Sequence, residues 1–252
     1  MKDKRVIGAV AAAFALLLVL LFVRHQSVEA RTLMMRTGPD AIMRNPDLRN
    51  VAIAHGRSVF RDHCASCHGA DGKGSTAIAV PDLTDDDFLY GQGSVSEIEQ
   101  IVLHGIRAGD TRGWNLALMP AFAQKIPYAR EPLNPLTPAQ MDDIVAFLRA
   151  ANGHGGYDPA QVDRGRAEVT EKAGCWDCHG RDAQGDSAIG APNLVDAKWI
   201  KGDGSEAAIR HSIERGMAGV SPALAGKLSA YDARTVAIYA ASLHPPVKRE
   251  QP

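Results

Sequence analysis

All four cysteines of this 252-residue chain fall in two short runs, Cys64-Ala-Ser-Cys67-His68 and Cys175-Trp-Asp-Cys178-His179. A Cys-x-x-Cys-His run is the attachment signature of a c-type haem. Its two thiols, one helical turn apart, form thioethers with the vinyl groups, and the adjoining imidazole reaches one axial face of the iron. A redox pair needs no histidine directly after the second cysteine, and a zinc site needs further ligands at short spacing. The pattern predicts two covalently bound haem c groups, with His68 and His179 as proximal ligands. A proximal imidazole donates its second N–H to a nearby carbonyl, which fixes its orientation. Pro81 and Pro192, each in a Pro-x-Leu run in the same register with its motif, are the expected acceptors.

The opposite axial positions are less alike. In the first copy Met119, in Leu118-Met-Pro-Ala-Phe122, is the expected sixth ligand, because a thioether suits iron and raises its potential. Met141 competes for that place but belongs to the apolar face of a later helix. Laid on the second copy, Met119-Pro-Ala-Phe122 meets Ser221-Pro-Ala-Leu224, so a serine stands at the methionine position. The run from Gly216 to Ser221 is also nine residues shorter than the run from Gly105 to Met119. A serine hydroxyl is a poor ligand for ferrous iron, which leaves Met217, His211, His244 or an open position. Two unequal haems are expected: His/Met on the first motif, and weak, unusual or absent sixth ligation on the second.

The elements that carry these residues repeat as well. Residues 64–106 fall on 175–217 without a gap, at a constant shift of 111, so the duplication is at domain scale. Ala52, Gly56, Val59 and Phe60 form one helical stripe ahead of the first motif. Gly165 and Val169 start the second, with two extra residues before Cys175. Thr137-Pro-Ala-Gln140 reads as a capping box that opens a helix with Met141, Ile144, Val145 and Leu148 on one face. Ser229 with Asp232 plays the same part for Val236, Tyr239, Ala240 and Leu243. Strand signals are absent, so the fold class is all-α.

Val6 to Val23 is an apolar run that covers about 27 Å as a helix, close to the thickness of a bilayer core. Lys2, Lys4 and Arg5 precede it, which puts the N-terminus in the cytoplasm and the rest outside. Val28-Glu29-Ala30 offers the alternative of a cleaved signal peptide. The expected organisation is an anchor over 1–23, a tether over 24–50, a first domain over 51–152, a linker over 153–160, a second domain over 161–245 and a tail over 246–252. Met34, Met35 and Met43 lie in the tether and read as contacts to a partner or a membrane neighbour. Hydrophobic residues make up 45% and charged residues 23%, as in a globular protein. The net charge of −1 argues against nucleic acid as a partner.

Several stretches resemble a known family. Gly56-x-x-x-Phe60, the Cys64–Gly74 run, Pro81-x-Leu-Thr-Asp85, Leu89-Tyr-Gly91, His104-Gly-Ile-Arg107 and Met119-Pro-Ala-Phe122 are similar to the dihaem cytochrome c subunit (subunit III) of cbb3-type oxidases. The resemblance implies two tandem class I cytochrome c domains after an N-terminal transmembrane helix, with the haem domains in the periplasm at the cytoplasmic membrane. It implies an electron carrier that draws on a soluble cytochrome c or a quinol-oxidising complex and feeds haem–copper oxidase subunits. The family pattern places methionine where this chain has Ser221. A free-standing anchored cytochrome serving a periplasmic dehydrogenase, and a haem enzyme or gas sensor using an open second haem, are the alternatives.

Overall fold

A computed structural model of the protein describes residues 2–126 and 132–245, with side-chain surroundings from Phe14 onward. Among the described residues the regular elements are all helical, joined by loops with isolated β-bridges only. In chain order they are α1 (Lys2–Arg36), α2 (Pro39–Ile42), α3 (Pro46–His63), α4 (Ala65–His68), α5 (Val95–His104), α6 (Pro138–Ala151), α7 (Pro159–Ala167), α8 (Trp176–His179), α9 (Glu206–Arg215) and α10 (Ala230–Ala241).

The local signals act as the sequence leads one to expect. Asn45 caps α3 by accepting from the Leu48 N–H at 3.2 Å, and Ala52, Gly56, Val59 and Phe60 are the buried face. Thr137 and Gln140 close the capping box of α6, and Ser229 caps α10. The two extra residues before Cys175 are taken up by a π-helical turn, Glu168–Lys172, following α7. One wide turn absorbs the insertion and still keeps Val169 in the core, 1% exposed.

The closing helices do not return to the motifs that precede them in the chain. α6 packs against α7 and α9, while α10 packs against α3 and α5. The molecule is therefore two bodies that exchange arms. The first holds α3, α4, α5 and α10; the second holds α7, α8, α9 and α6. Each is centred on a helix crossing made close by a glycine. A side chain at Gly56 would strike the Thr235 carbonyl and lie 2.8 Å from the Tyr239 Cβ; one at Gly165 would strike the Asp143 carbonyl and lie 2.8 Å from the Phe147 Cβ. At such a crossing only hydrogen fits.

The exchange happens where the two arms pass. Ile106 and Ser221 exchange backbone hydrogen bonds of 2.9 and 3.0 Å, and Met119 and Met217 do the same at 2.9 and 3.0 Å. Further along, Phe122 donates to the Ile213 carbonyl at 2.9 Å and Leu224 to the Val102 carbonyl at 3.1 Å. These pairs map onto one another under the repeat, so the exchange has pseudo-two-fold symmetry. The boundaries 51–152 and 161–245 mark the sequence repeat, but they do not mark the packing units. The reason is the connection from Ala151 to Pro159. So short a connection favours α6 and α7 as neighbours, and the two lie side by side while α10 covers the face of α3 left open.

The segment 24–50 also differs from the expected tether. α1 continues through it to Arg36, and Met34, Ile42 and Leu48 enter a cluster with Val95, Ala237 and Ile238. Met34 and Ile42 are fully buried, each burial contributing about 1.5–3 kcal/mol. Met34 is thus core and not a partner contact. Arg234 fixes the junction by pairing with Glu99 at 2.9 Å and donating to the carbonyls of Met34 and Thr37 at 3.2 and 2.9 Å. Among the residues with described side chains, no helix is long and apolar enough to cross a membrane; the first part of the expected span lies outside them.

Candidate haem sites

Each motif forms a single helical turn, α4 and α8, that ends at a glycine with positive φ, Gly69 (76°) and Gly180 (77°). The chain then doubles back so that Gly74 donates to the His68 carbonyl at 2.9 Å and Gly185 to the His179 carbonyl at 2.8 Å. A Cβ on Gly74 would run into the Pro81 carbonyl, and one on Gly185 would come within 2.7 Å of the Pro192 oxygen. These glycines let a proline carbonyl reach the histidine. In the second site the contact is made, with His179 Nδ1 2.8 Å from the Pro192 oxygen. In the first, the Pro81 carbonyl favours the protonated imidazole, but no hydrogen bond of normal geometry closes and His68 Nδ1 is buried without a partner.

Burial pushes both imidazoles below the usual histidine range, so they are neutral and have a lone pair to offer. The four thiols are unbridged. Burial raises the Cys64 thiol to about 11 and the Cys175 thiol to about 12, which keeps them as thiols rather than reactive thiolates. Cys64 shares an apolar cluster with Leu83, Val102, Leu228 and Leu243; Cys175 shares one with Phe122, Leu194 and Trp199. Among the described residues no group of three His, Cys, Asp or Glu side chains is placed to hold a metal ion, so the zinc alternative has no further ligands. Paired thiols, a neutral imidazole, a carbonyl to orient it and an apolar surround fit a covalently held haem at each motif.

The arm exchange places Met119, expected as a sixth ligand, and its counterpart Ser221 on the body other than that of the motif preceding each in the chain. Met119 joins the cluster that contains Cys175, Leu194 and Trp199, on the second body, where its backbone pairs with that of Met217. It does not join Cys64. Ser221 pairs with Ile106 on the first body. Met141 is core, 6% exposed. His211 is exposed on α9, while His244 sits edge-on to Phe88 at 4.8 Å. His104 is buried and hydrogen-bonded with Asp110 at 2.8 Å.

Sequence reasoning named Tyr90 and Arg107 only as parts of family-like stretches and missed their place between the two motifs. The Tyr90 ring packs against Gly190 of the second body and meets Trp114 edge-on at 5.5 Å. Its hydroxyl accepts from Arg107 at 2.5 Å, and Arg107 also donates to the carbonyls of Gly219, at 2.6 Å, and Ala117. Lys198 reaches Asp86 at 2.9 Å and Asp85 at 3.7 Å across the same seam. Trp114 lies in the stretch with no counterpart in the second repeat, so internal comparison could not reveal it.

This fold and these motifs define a c-type cytochrome with covalently bound haem c. A family model described as cytochrome c matches residues 53–152, and one described as cytochrome c oxidase, cbb3-type, subunit III matches residues 160–239. The chain is 35% identical over 202 residues to the cbb3-type cytochrome c oxidase subunit FixP of Azorhizobium caulinodans, covering 80% of this chain and 63% of that protein. It is 35% identical over 218 residues to the subunit CcoP of Azospirillum brasilense, covering 84% and 69%. It belongs to the cbb3-type oxidase subunit III family, FixP/CcoP. The chain spans just under two thirds of the length of the first of these curated relatives.

Proposed function

We propose that the protein is a dihaem electron carrier that feeds a cbb3-type haem–copper oxidase. The observation that carries the reading is the twofold occurrence of one arrangement: unbridged thiols beside a buried neutral imidazole facing a proline carbonyl. His68 and His179 serve as proximal ligands, Cys64, Cys67, Cys175 and Cys178 hold the two haems, Pro192 orients the His179 imidazole, and the Pro81 carbonyl is the counterpart acceptor beside His68. Met119 serves the haem on the second motif, with Met217 beside it. The donor is a soluble cytochrome c or a quinol-oxidising complex.

We place the haem bodies on the periplasmic side of the cytoplasmic membrane, held by the apolar run that ends at Val23. Supporting this, Phe14 to Val23 keep large apolar side chains 50–63% exposed around an uninterrupted helix, a surface that water does not tolerate at this length.

The full chain, produced with a c-type haem maturation system, is expected to carry two haems by intact mass and to copurify with a haem–copper subunit. In the oxidised spectrum, Cys175→Ala/Cys178→Ala is expected to remove the far-red methionine-to-iron band, and Cys64→Ala/Cys67→Ala to leave it. The opposite pattern would put Met119 on the first motif and overturn the assignment.

A further inference from the structure

We infer that the haem on the first motif has an open sixth position that takes a neutral diatomic ligand, with Ser221 standing where a methionine would close it. The inference rests on the two-haem reading above. It reverses the expectation from sequence, which left the second haem incomplete.

The exchanged arms are related by pseudo-two-fold symmetry. The pair Met119–Met217 on the second body corresponds to the pair Ser221–Ile106 on the first, with matching backbone hydrogen bonds of 2.9 and 3.0 Å in each. Whatever position Met119 holds toward Cys175 and His179, Ser221 holds toward Cys64 and His68. The second body thus has two thioethers at this place and the first has none. An aliphatic side chain and a serine hydroxyl are poor donors to ferrous iron.

Among the described residues, the other methionine, histidine and lysine donors nearest the exchanged arm are engaged elsewhere or exposed. Met34 and Met43 belong to the cluster on the Ala237–Ile238 face of α10, whereas Cys64 shares the cluster of Val236 and Tyr239 on another face. His244 packs against Phe88 with its Nε2 buried and unpartnered, but its neighbour Leu243 reaches Gly72 beside Leu83, at the Pro81-x-Leu83 loop that serves the proximal imidazole, which puts His244 on the proximal and not the distal side. His55 is held by Asp232 at 2.7 Å and His104 by Asp110 at 2.8 Å. Lys227, the remaining nitrogen donor on the arm, is exposed.

A five-coordinate ferrous haem with a neutral proximal imidazole binds a neutral π-accepting diatomic such as carbon monoxide, and the adjacent hydroxyl is a hydrogen-bond donor for the far atom. A haem closed by a thioether does so far more weakly.

The test uses the full-length dihaem protein in detergent, its haem content first fixed by intact mass. Titration of the reduced protein with carbon monoxide is expected to convert one haem in two, and Met119→Ala to raise the count to two. Ser221→Met is expected to abolish binding and to add a second far-red band to the oxidised spectrum. An unchanged reduced spectrum in excess carbon monoxide would overturn the inference, as would a Ser221→Met protein that binds as the parent does. If Ser221→Met fails to retain haem, the one-in-two count in the parent, and its rise in Met119→Ala, decide. A single haem by mass defeats the two-haem reading itself, and is seen before any gas is added.

Discussion

At the scale of single residues, the chemistry is carried by groups whose partners are far away in sequence. His179 is oriented by Pro192 because Gly185 leaves room for the carbonyl, and His68 has the same parts with the hydrogen bond not closed. All of these were legible, since the spacing of Cys, His, Gly and Pro repeats without a gap. The sixth position was not. The internal comparison found Met119 and Ser221 as counterparts, yet linear order assigned each to the motif before it. Met119 and Met217 lie side by side with their backbones paired, and the proposed assignment gives the sixth position to one of them. Because Met119 shares the Cys175 cluster, Met119→Ala is expected to abolish the far-red band and lower the potential of that haem, while Met217→Ala leaves both unchanged. Redox titration with optical detection separates the two.

At the scale of elements, capping and amphipathic stripes placed most of the helices, and a cap also sets a pH limit. Asp232, in the first turn of α10, is held below the usual carboxylate range by hydrogen bonds from His55 and from Ser229. A carboxyl depressed in the folded state adds stability above its unfolded pKa, roughly pH 4, and loses it as pH falls through the folded value. Because His55 lies on α3, that stability falls on the α3–α10 crossing. Asp232→Asn is expected to cost less than about 1 kcal/mol at neutral pH, with the difference from the parent vanishing on the acid side. Thermal melts between pH 3 and 7, roughly the window set by that pKa, read it out; a difference constant across the range would refute it. What the stripes could not say was which helix each faces. A buried face specifies an apolar partner and nothing about the partner's identity, so α6 and α10 were equally suited to either motif.

At the scale of the molecule, exchange makes each haem body depend on both halves of the chain. The linker residues Gly153 to Gly156 are exposed, so a protease site placed there should cut without disturbing either crossing. The cut halves are expected to elute together under native conditions and to keep both haems, whereas self-contained repeats would part on the column. That interlock was hidden in the sequence because it follows from a short connection, not from any residue. The junction below the first body has a reach of its own. α1 runs unbroken from the apolar run to Arg36, and Met34 and Arg234 lock it into the core. From Val23 to Arg36 it rises about 20 Å at helical pitch. With the apolar run seated in a bilayer as proposed above, it would be a stalk that holds the two bodies at one height and one heading. Two residues added to the stalk would turn them by about 200° around its axis, and four would raise them by about 6 Å while nearly restoring their heading.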